Sequence, residues 1–147
     1  VGAVFDDDRV SAEIICDGFH IHPAVVRTTF RLLGDRIMAI SDAMRATGLP
    51  DGESELGGQT VYVRDGKACL KDGTIAGSTT NLHQELKNLV SWGVPFEQAV
   101  KSVSYLPARS VHADDQVGSI AAGKLADIVL LDSELNIVKV MQDGKFC

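Results

Sequence analysis

Cysteine is scarce and unpatterned in this chain of 147 residues: Cys16, Cys69 and Cys147, with no C-x-x-C. An odd, widely spaced set argues against a disulfide framework and excludes a zinc knuckle. It predicts free thiols in a reducing compartment. Positive charge is also short, with 14 Lys and Arg against 20 Asp and Glu and a net charge of -6. An acidic chain repels nucleic acid and anionic membrane, so neither is expected as a partner. A phosphorylated small molecule stays compatible, because a local basic or backbone N–H pocket holds phosphate against the global field. No apolar run approaches the roughly 20 residues that a membrane-spanning helix needs. No basic stretch followed by a signal-like apolar run opens the chain, so the expected location is the cytoplasm. Aromatics are few; Trp92, Tyr62 and Tyr105 stand alone and read as packing residues. Neither a phosphate-cradling G-x-x-x-x-G-K-[ST] nor a nucleophile elbow is present.

What remains is a globular composition, 45% hydrophobic and 23% charged. It amounts to one domain or part of a larger one. The opening VGAVFDDDRV, which begins with Val1, shows no element of its own. Ala12 to Cys16 is a short apolar run stopped by Asp17-Gly18, and reads as a buried strand. In PAVVRTTFRLLGD, Val26, Phe30 and Leu33 recur on one helical face. Pro23 in the first turn and Gly34 past the last are the expected punctuation. Arg36 to Ser41 is a second apolar run. Strand, helix, strand predicts a βαβ unit with a parallel sheet, hence an α/β fold. Functional groups in such sheets gather beyond the carboxyl ends of the strands. Asp17, His20 and Asp42 fall there.

Met44 to Gly58 reads as a Gly-rich acidic loop. Residues 59–76 carry the turns Asp65-Gly66 and Asp72-Gly73 between β-prone runs, which predicts a small antiparallel meander. Thr79 to Trp92 is a helix with Leu82, Leu86, Leu89 and Val90 on one face. A second helix follows Pro95, with Phe96, Val100 and Val103 inward, and a short one runs through Ala108 to Val111. The tail turns all-β near Val117 to Lys124, with strands at Ile128 to Leu131 and in NIVKVMQDGKFC.

Three stretches carry chemistry. In a strand, His20 and His22 of FHIHP would face one side and could both reach an ion. A catalytic zinc needs about three protein ligands plus water, and nothing gathers His83 or His112 to them. Asp42, in Ser41-Asp42-Ala43, reads as a helix N-cap or as a general acid/base at a strand mouth. Ile75-Ala76-Gly77-Ser78 precedes a helix that Ser78 or Thr79 could cap, and Gly77 would admit close backbone approach to a ligand.

In order, Asp17-Gly18-Phe19-His20, Ser41-Asp42-Ala43, Ile75-Ala76-Gly77-Ser78, Pro107-Ala108-Arg109 and GSIAAGKLADIVLLD resemble the C-terminal part of the N-acetylglucosamine-6-phosphate deacetylases, in the amidohydrolase superfamily. The resemblance runs from about Ser11 to the end. It implies the last two strands of a distorted (β/α)8 barrel over residues 1–116, with the meander as an insertion. Residues 117–147 would supply strands of a small β-sandwich. It implies that Asp42 is the catalytic acid/base, and that Asp17, Gly18, Phe19, His20, Ile75, Ala76 and Gly77 contact the phosphorylated amino sugar. His20 would then bind substrate, not metal. A divalent metal, Zn or Fe, is implied for the intact enzyme, as is a homodimer whose neighbouring subunit helps hold the phosphate. Phe19 and Ser41 depart mildly from the family pattern. The family's Glu and His metal ligands match nothing here, so no bound metal and no deacetylase activity are expected of this chain alone. An unpaired edge on the strand Ala12 to Cys16 would favour oligomers or poor solubility. Another amidohydrolase, of dihydroorotase or deaminase type, and a non-catalytic interaction module are the alternatives.

Overall fold

The computed structural model describes all residues 1–147 as an α/β chain with three small sheets, none larger than three strands. The first is the parallel pair β1 (Ala12–Ile14) and β2 (Ile37–Ala39), in register Ala12 to Ile37, Glu13 to Met38 and Ile14 to Ala39. The crossover is helix α2 (Pro23–Leu33), which buries Val26, Phe30 and Leu33. These are the residues whose spacing marks the helix in the sequence. Gly34 at the C-cap has φ 57°, which a glycine adopts without strain. The βαβ expectation therefore holds. The first strand is shorter than the apolar run suggests: it ends at Ile14, and Ile15 to Asp17 already leave the ladder.

The opening decapeptide has an element after all, the short helix α1 (Gly2–Asp6). Arg36 pins it to the core. Its guanidinium donates to the carbonyls of Val4, Asp7 and Val10 at 2.9, 3.1 and 2.8 Å. No local pattern in VGAVFDDDRV announces a helix held by a residue some thirty positions away.

The second sheet is the antiparallel meander β3 (Gly52–Leu56), β4 (Gln59–Arg64) and β5 (Lys67–Cys69). Asp65-Gly66 makes the turn between β4 and β5, as expected. The first strand of the meander lies inside the stretch expected to be a loop, and Gly57-Gly58 turns it back. Its apolar content is too low for a pattern reading, because Glu53 and Glu55 flank Ser54. Val61, Val63 and Ala68 close a small separate core with Met44 and Ala46.

Helices α3 (Leu82–Ser91), α4 (Phe96–Val103) and α5 (Tyr105–Ser110) follow. Asn81, not Ser78 or Thr79, caps α3, its side chain accepting from the Gln84 N–H at 2.9 Å. Leu86 and Leu89 face the core as the periodicity predicts, but Leu82 and Phe96 do not: they are half-exposed at the helix starts. Leu86, Leu89, Val94 and Ala99 pack with Phe30, Ile14 and Ile37 into the main core. Each fully buried aliphatic or aromatic side chain there stabilises the fold by about 1.5–3 kcal/mol. The short helix expected at Ala108 to Val111 starts earlier, at Tyr105, with Pro107 in its first turn, as its missing N–H permits. The third sheet is antiparallel, β6 (Ile128–Leu131), β7 (Ile137–Gln142) and β8 (Lys145–Phe146). No helix is long and apolar enough to cross a membrane.

Candidate functional site

Parallel pairing places the carboxyl ends of β1 and β2 at the same end of the sheet. Asp17, His20 and Asp42 follow those ends, and Ile75–Gly77 is drawn to the second of them by a bridge.

Beyond β1 the chain bends through residues 17–21 as a tight loop. Asp17 organises it. One carboxylate oxygen accepts from the backbone N–H groups of Phe19 and His20 at 2.9 and 3.0 Å, an Asx-type turn. The other lies 2.7 Å from Nδ1 of His20. Both side chains are mostly covered, with 12% of Asp17 and 17% of His20 exposed. Burial alone would raise the Asp17 carboxyl. The hydrogen bonds from the His20 backbone, the His20 ring and the Phe19 backbone overcome it, and the group is held below the usual carboxylate range. Nδ1 of His20 is thereby engaged, and Nε2 is the nitrogen left for a ligand. Gly18 has φ 77°, and Trp92 leaves little room beside it: a Cβ there would meet the indole at 3.1 Å.

Because this segment is a loop and not a strand, the same-side argument for His20 and His22 fails. His22 caps α2 instead, its Nδ1 accepting from the Ala24 N–H at 3.2 Å. His83 bonds to the Leu135 carbonyl at 2.6 Å, and His112 lies in a turn with φ 58°. The four histidines do not converge, and no group of three His, Cys, Asp or Glu side chains forms a metal centre. The donor set does not fit a divalent ion.

Beyond β2, Asp42 is exposed and has φ 46°, a left-handed conformation uncommon for a residue with a Cβ. No helix follows it; residues 45–48 form a turn. The N-cap explanation of Asp42 therefore lapses. Its backbone carbonyl instead accepts from Ser78 N–H at 3.2 Å, and Met44 N–H donates to Ser78 at 2.9 Å. This parallel bridge, Ala43 to Ser78, is what brings Ile75, Ala76 and Gly77 beside Asp42. Gly77 has φ 128° and packs against Met44 and Leu56, so a side chain there would be strained. On its other side the segment is tied to the meander, Ala76 N–H donating to Ala68 at 3.0 Å.

The meander also reaches the first loop. The Lys67 ammonium stands 5.1 Å from the centre of the Phe19 ring, and that ring meets His20 edge-on at 5.7 Å. Lys67 is a cation beside the loop that the sequence does not single out. Its only signal is a Lys directly after the Asp65-Gly66 turn. Behind the loop, Cys16 is fully buried, and burial pushes its thiol far above the usual range, so it is inert.

Comparison with known proteins gives the context. N-acetylglucosamine-6-phosphate deacetylase of Vibrio furnissii is 40% identical over 146 residues, covering 99% of this chain and 37% of that protein. N-acetylgalactosamine-6-phosphate deacetylase of Escherichia coli O157:H7 is 37% identical, covering 99% of this chain and 39% of its own length. The crystal structure of N-acetylglucosamine-6-phosphate deacetylase from Pasteurella multocida superimposes with a TM-score of 0.95 at 32% identity, over 100% of this chain and 39% of that one. The chain thus spans about two fifths of the length of these proteins. A sequence model described as the amidohydrolase family matches residues 5–147, and with its loops gathered at the carboxyl end of a parallel pair, the chain belongs to the amidohydrolase family.

Proposed function

We propose that the chain is the C-terminal part of an N-acetylglucosamine-6-phosphate deacetylase, which hydrolyses the acetamide of N-acetylglucosamine 6-phosphate to glucosamine 6-phosphate and acetate. The observation that carries this reading is that Asp17–His20 and Asp42 follow the same end of the parallel pair, with Ile75–Gly77 held beside Asp42 by the Ala43–Ser78 bridge. A site for a phosphorylated N-acetyl sugar needs three kinds of group. It needs a proton carrier for amide cleavage, hydrogen-bonding groups for sugar hydroxyls, and a cation or N–H groups for phosphate. Asp42 is the proton carrier. Exposed at the strand mouth, its carboxylate takes a proton from the attacking water and delivers it to the departing amine nitrogen, where it is needed for the C–N bond to break. His20, fixed through Nδ1, presents Nε2 to the sugar or its phosphate. Gly77 and its neighbours form a backbone wall. Lys67 supplies positive charge to a dianionic ligand that would otherwise meet a chain of net charge -6.

On this reading β1 and β2 are the final strands of a (β/α)8 barrel within residues 1–116, and residues 117–147 are part of a β-sandwich. Amidohydrolases generally use a divalent metal. Since no three His, Cys, Asp or Glu side chains here come together as a ligand set, its ligands are expected from other parts of the polypeptide, with Zn or Fe as the ion. The 147 residues alone are expected to be inactive. A homodimer in the cytoplasm is the expected assembly and location, in keeping with three free cysteines.

Asp42→Asn in the complete enzyme tests the reading. Turnover of N-acetylglucosamine 6-phosphate is expected to fall by about two to four orders of magnitude with the circular dichroism spectrum unchanged. Retained turnover would return Asp42 to a purely structural role. Running N-acetylgalactosamine 6-phosphate, dihydroorotate and a deaminase substrate in parallel ranks the alternatives. A higher kcat/KM for any of them would replace the substrate named here.

A further inference from the structure

Glu85 and Asn88 of α3 and Trp92 at its C-cap follow one helical face, and each meets the chain where it leaves β1. Asn88 donates from Nδ2 to the Cys16 carbonyl at 2.9 Å, holding the residue immediately before the loop. Trp92 lays its indole edge against Gly18, so close that a Cβ there would stand 3.1 Å from the ring. Glu85 is fully buried against Cys16 and Asp17, and neither of its carboxyl oxygens has a hydrogen-bond partner. The Cys16 backbone N–H approaches it without meeting hydrogen-bond geometry. A buried carboxyl without a partner is costly, and a helix that merely packed would carry an apolar residue there.

We propose that Glu85, Asn88 and Trp92 form a positioning platform that sets the Asp17–His20 loop, and through Asp17 the orientation of the His20 imidazole, for substrate. The proposal rests on the reading of that loop as part of the sugar-phosphate site. None of the three touches the reacting atoms; they act through Asp17 and His20. Asn88 fixes where the loop starts. Trp92 fixes its turn at Gly18, where positive φ and the ring together bar a side chain. Glu85 sets the charge beneath Asp17. Burial pushes its carboxyl up to about 8, so it is neutral beside the Asp17 anion at pH 7 and repels it when ionised. Cys16 and Asp17 are the titratable groups that face it.

The test uses the complete enzyme with N-acetylglucosamine 6-phosphate, together with ¹⁵N resonances of His20 in histidine-labelled protein. Asn88→Ala and Trp92→Leu are each expected to raise KM about tenfold or more with kcat within twofold. Such a split reports lost uniform binding and not lost chemistry. In the parent the His20 ring nitrogens should show one tautomer, with the proton on Nδ1; in both variants they should move toward a tautomer mixture. The parent KM should rise between pH 7 and 9, where the substrate phosphate no longer titrates, and Glu85→Gln should flatten that rise. His20→Ala is the reference. If it leaves KM unchanged, the loop does not contact substrate and the functional reading of it fails, taking the platform with it. If His20→Ala raises KM while Asn88→Ala and Trp92→Leu change neither KM nor the ring resonances, the platform is overturned and the loop reading stands. Should Asn88→Ala not fold, Trp92→Leu and Glu85→Gln decide by the same readouts.

Discussion

The β1–α2–β2 unit and the C-terminal sheet β6–β7–β8 use similar residues and reach opposite outcomes. Ile37, Met38 and Ala39 of β2 are all buried, and so are Val26, Phe30 and Leu33 of α2. In the C-terminal sheet, Val129, Leu130, Ile137, Val138, Val140 and Phe146 are all exposed. Apolar content is therefore a statement about what a strand is able to cover, not about what covers it. β2 has helices α2, α4 and α5 packed against it, while the tail sheet is tied to α3 through the turn between β6 and β7, by the bonds from His83 to Leu135 and from Lys87 to Asn136, and to the main core through Leu131. The difference places stability in the first unit and leaves the second dependent on its surroundings.

Phe30→Ala should give the largest effect. Its ring is 1% exposed at the centre of the main core, and its removal should cost about 3–5 kcal/mol in urea unfolding. A loss below about 1 kcal/mol would show that the first unit is no better packed than the tail.

Next comes a pH dependence rooted in Glu85. Its carboxyl is raised in the fold, so its burial is tolerated fully below the ordinary carboxylate range. That contribution is lost as pH climbs through the folded value of about 8. Unfolding free energy should fall by roughly 3 kcal/mol between pH 5 and 8, and Glu85→Gln should remove the slope. A parent chain with flat stability over that interval would contradict the buried, unpartnered carboxyl.

Asp17 works in the opposite sense. Its carboxyl is depressed in the fold, so its contribution is present above the ordinary carboxylate pKa and is lost as pH falls through the folded value. Asp17→Asn should cost about 1–2 kcal/mol at pH 7 and nearly nothing at the acid end, where the parent carboxyl is itself protonated. Equal cost at both ends would mean that packing, and not charge, holds the loop.

Val138→Thr in the tail should change stability by less than about 0.5 kcal/mol, as expected for an exposed position. A loss of several kcal/mol would erase the contrast between the two regions.

Much of the fold was legible in advance, because periodicity is a local property. α2 shows its face through Val26, Phe30 and Leu33, and β6 starts and stops where IVLL does. What escaped was non-local or weakly apolar. α1 depends on Arg36 reaching three carbonyls across the chain. β3 is a strand because β4 pairs with it, not because Glu-Ser-Glu looks like one. Leu82 and Phe96 match the helical period yet lie in first turns that reach past the core. At the candidate site, position put Asp17, His20 and Asp42 after the strands, with a cap as the ready explanation of Asp42, and the order of motifs supplied the roles by resemblance. The Asp17–His20 pairing, His22 as a cap, Lys67 over Phe19 and the buried Glu85 were not readable, since each depends on contacts that spacing does not encode.

Local sequence by itself determined the helices α2, α3 and α4, where the parallel unit lies, and that Asp17, His20 and Asp42 fall after its strands, because those properties follow from short-range dihedral preference and apolar spacing. Tertiary structure decided what those residues meet. It gave His20 to Asp17 and His22 to a helix start, freed Asp42 from capping by bridging its neighbour Ala43 to Ser78, and sealed Glu85 beneath the loop. Such partnerships arise when chain segments far apart in sequence compete for the same space and the same hydrogen bonds.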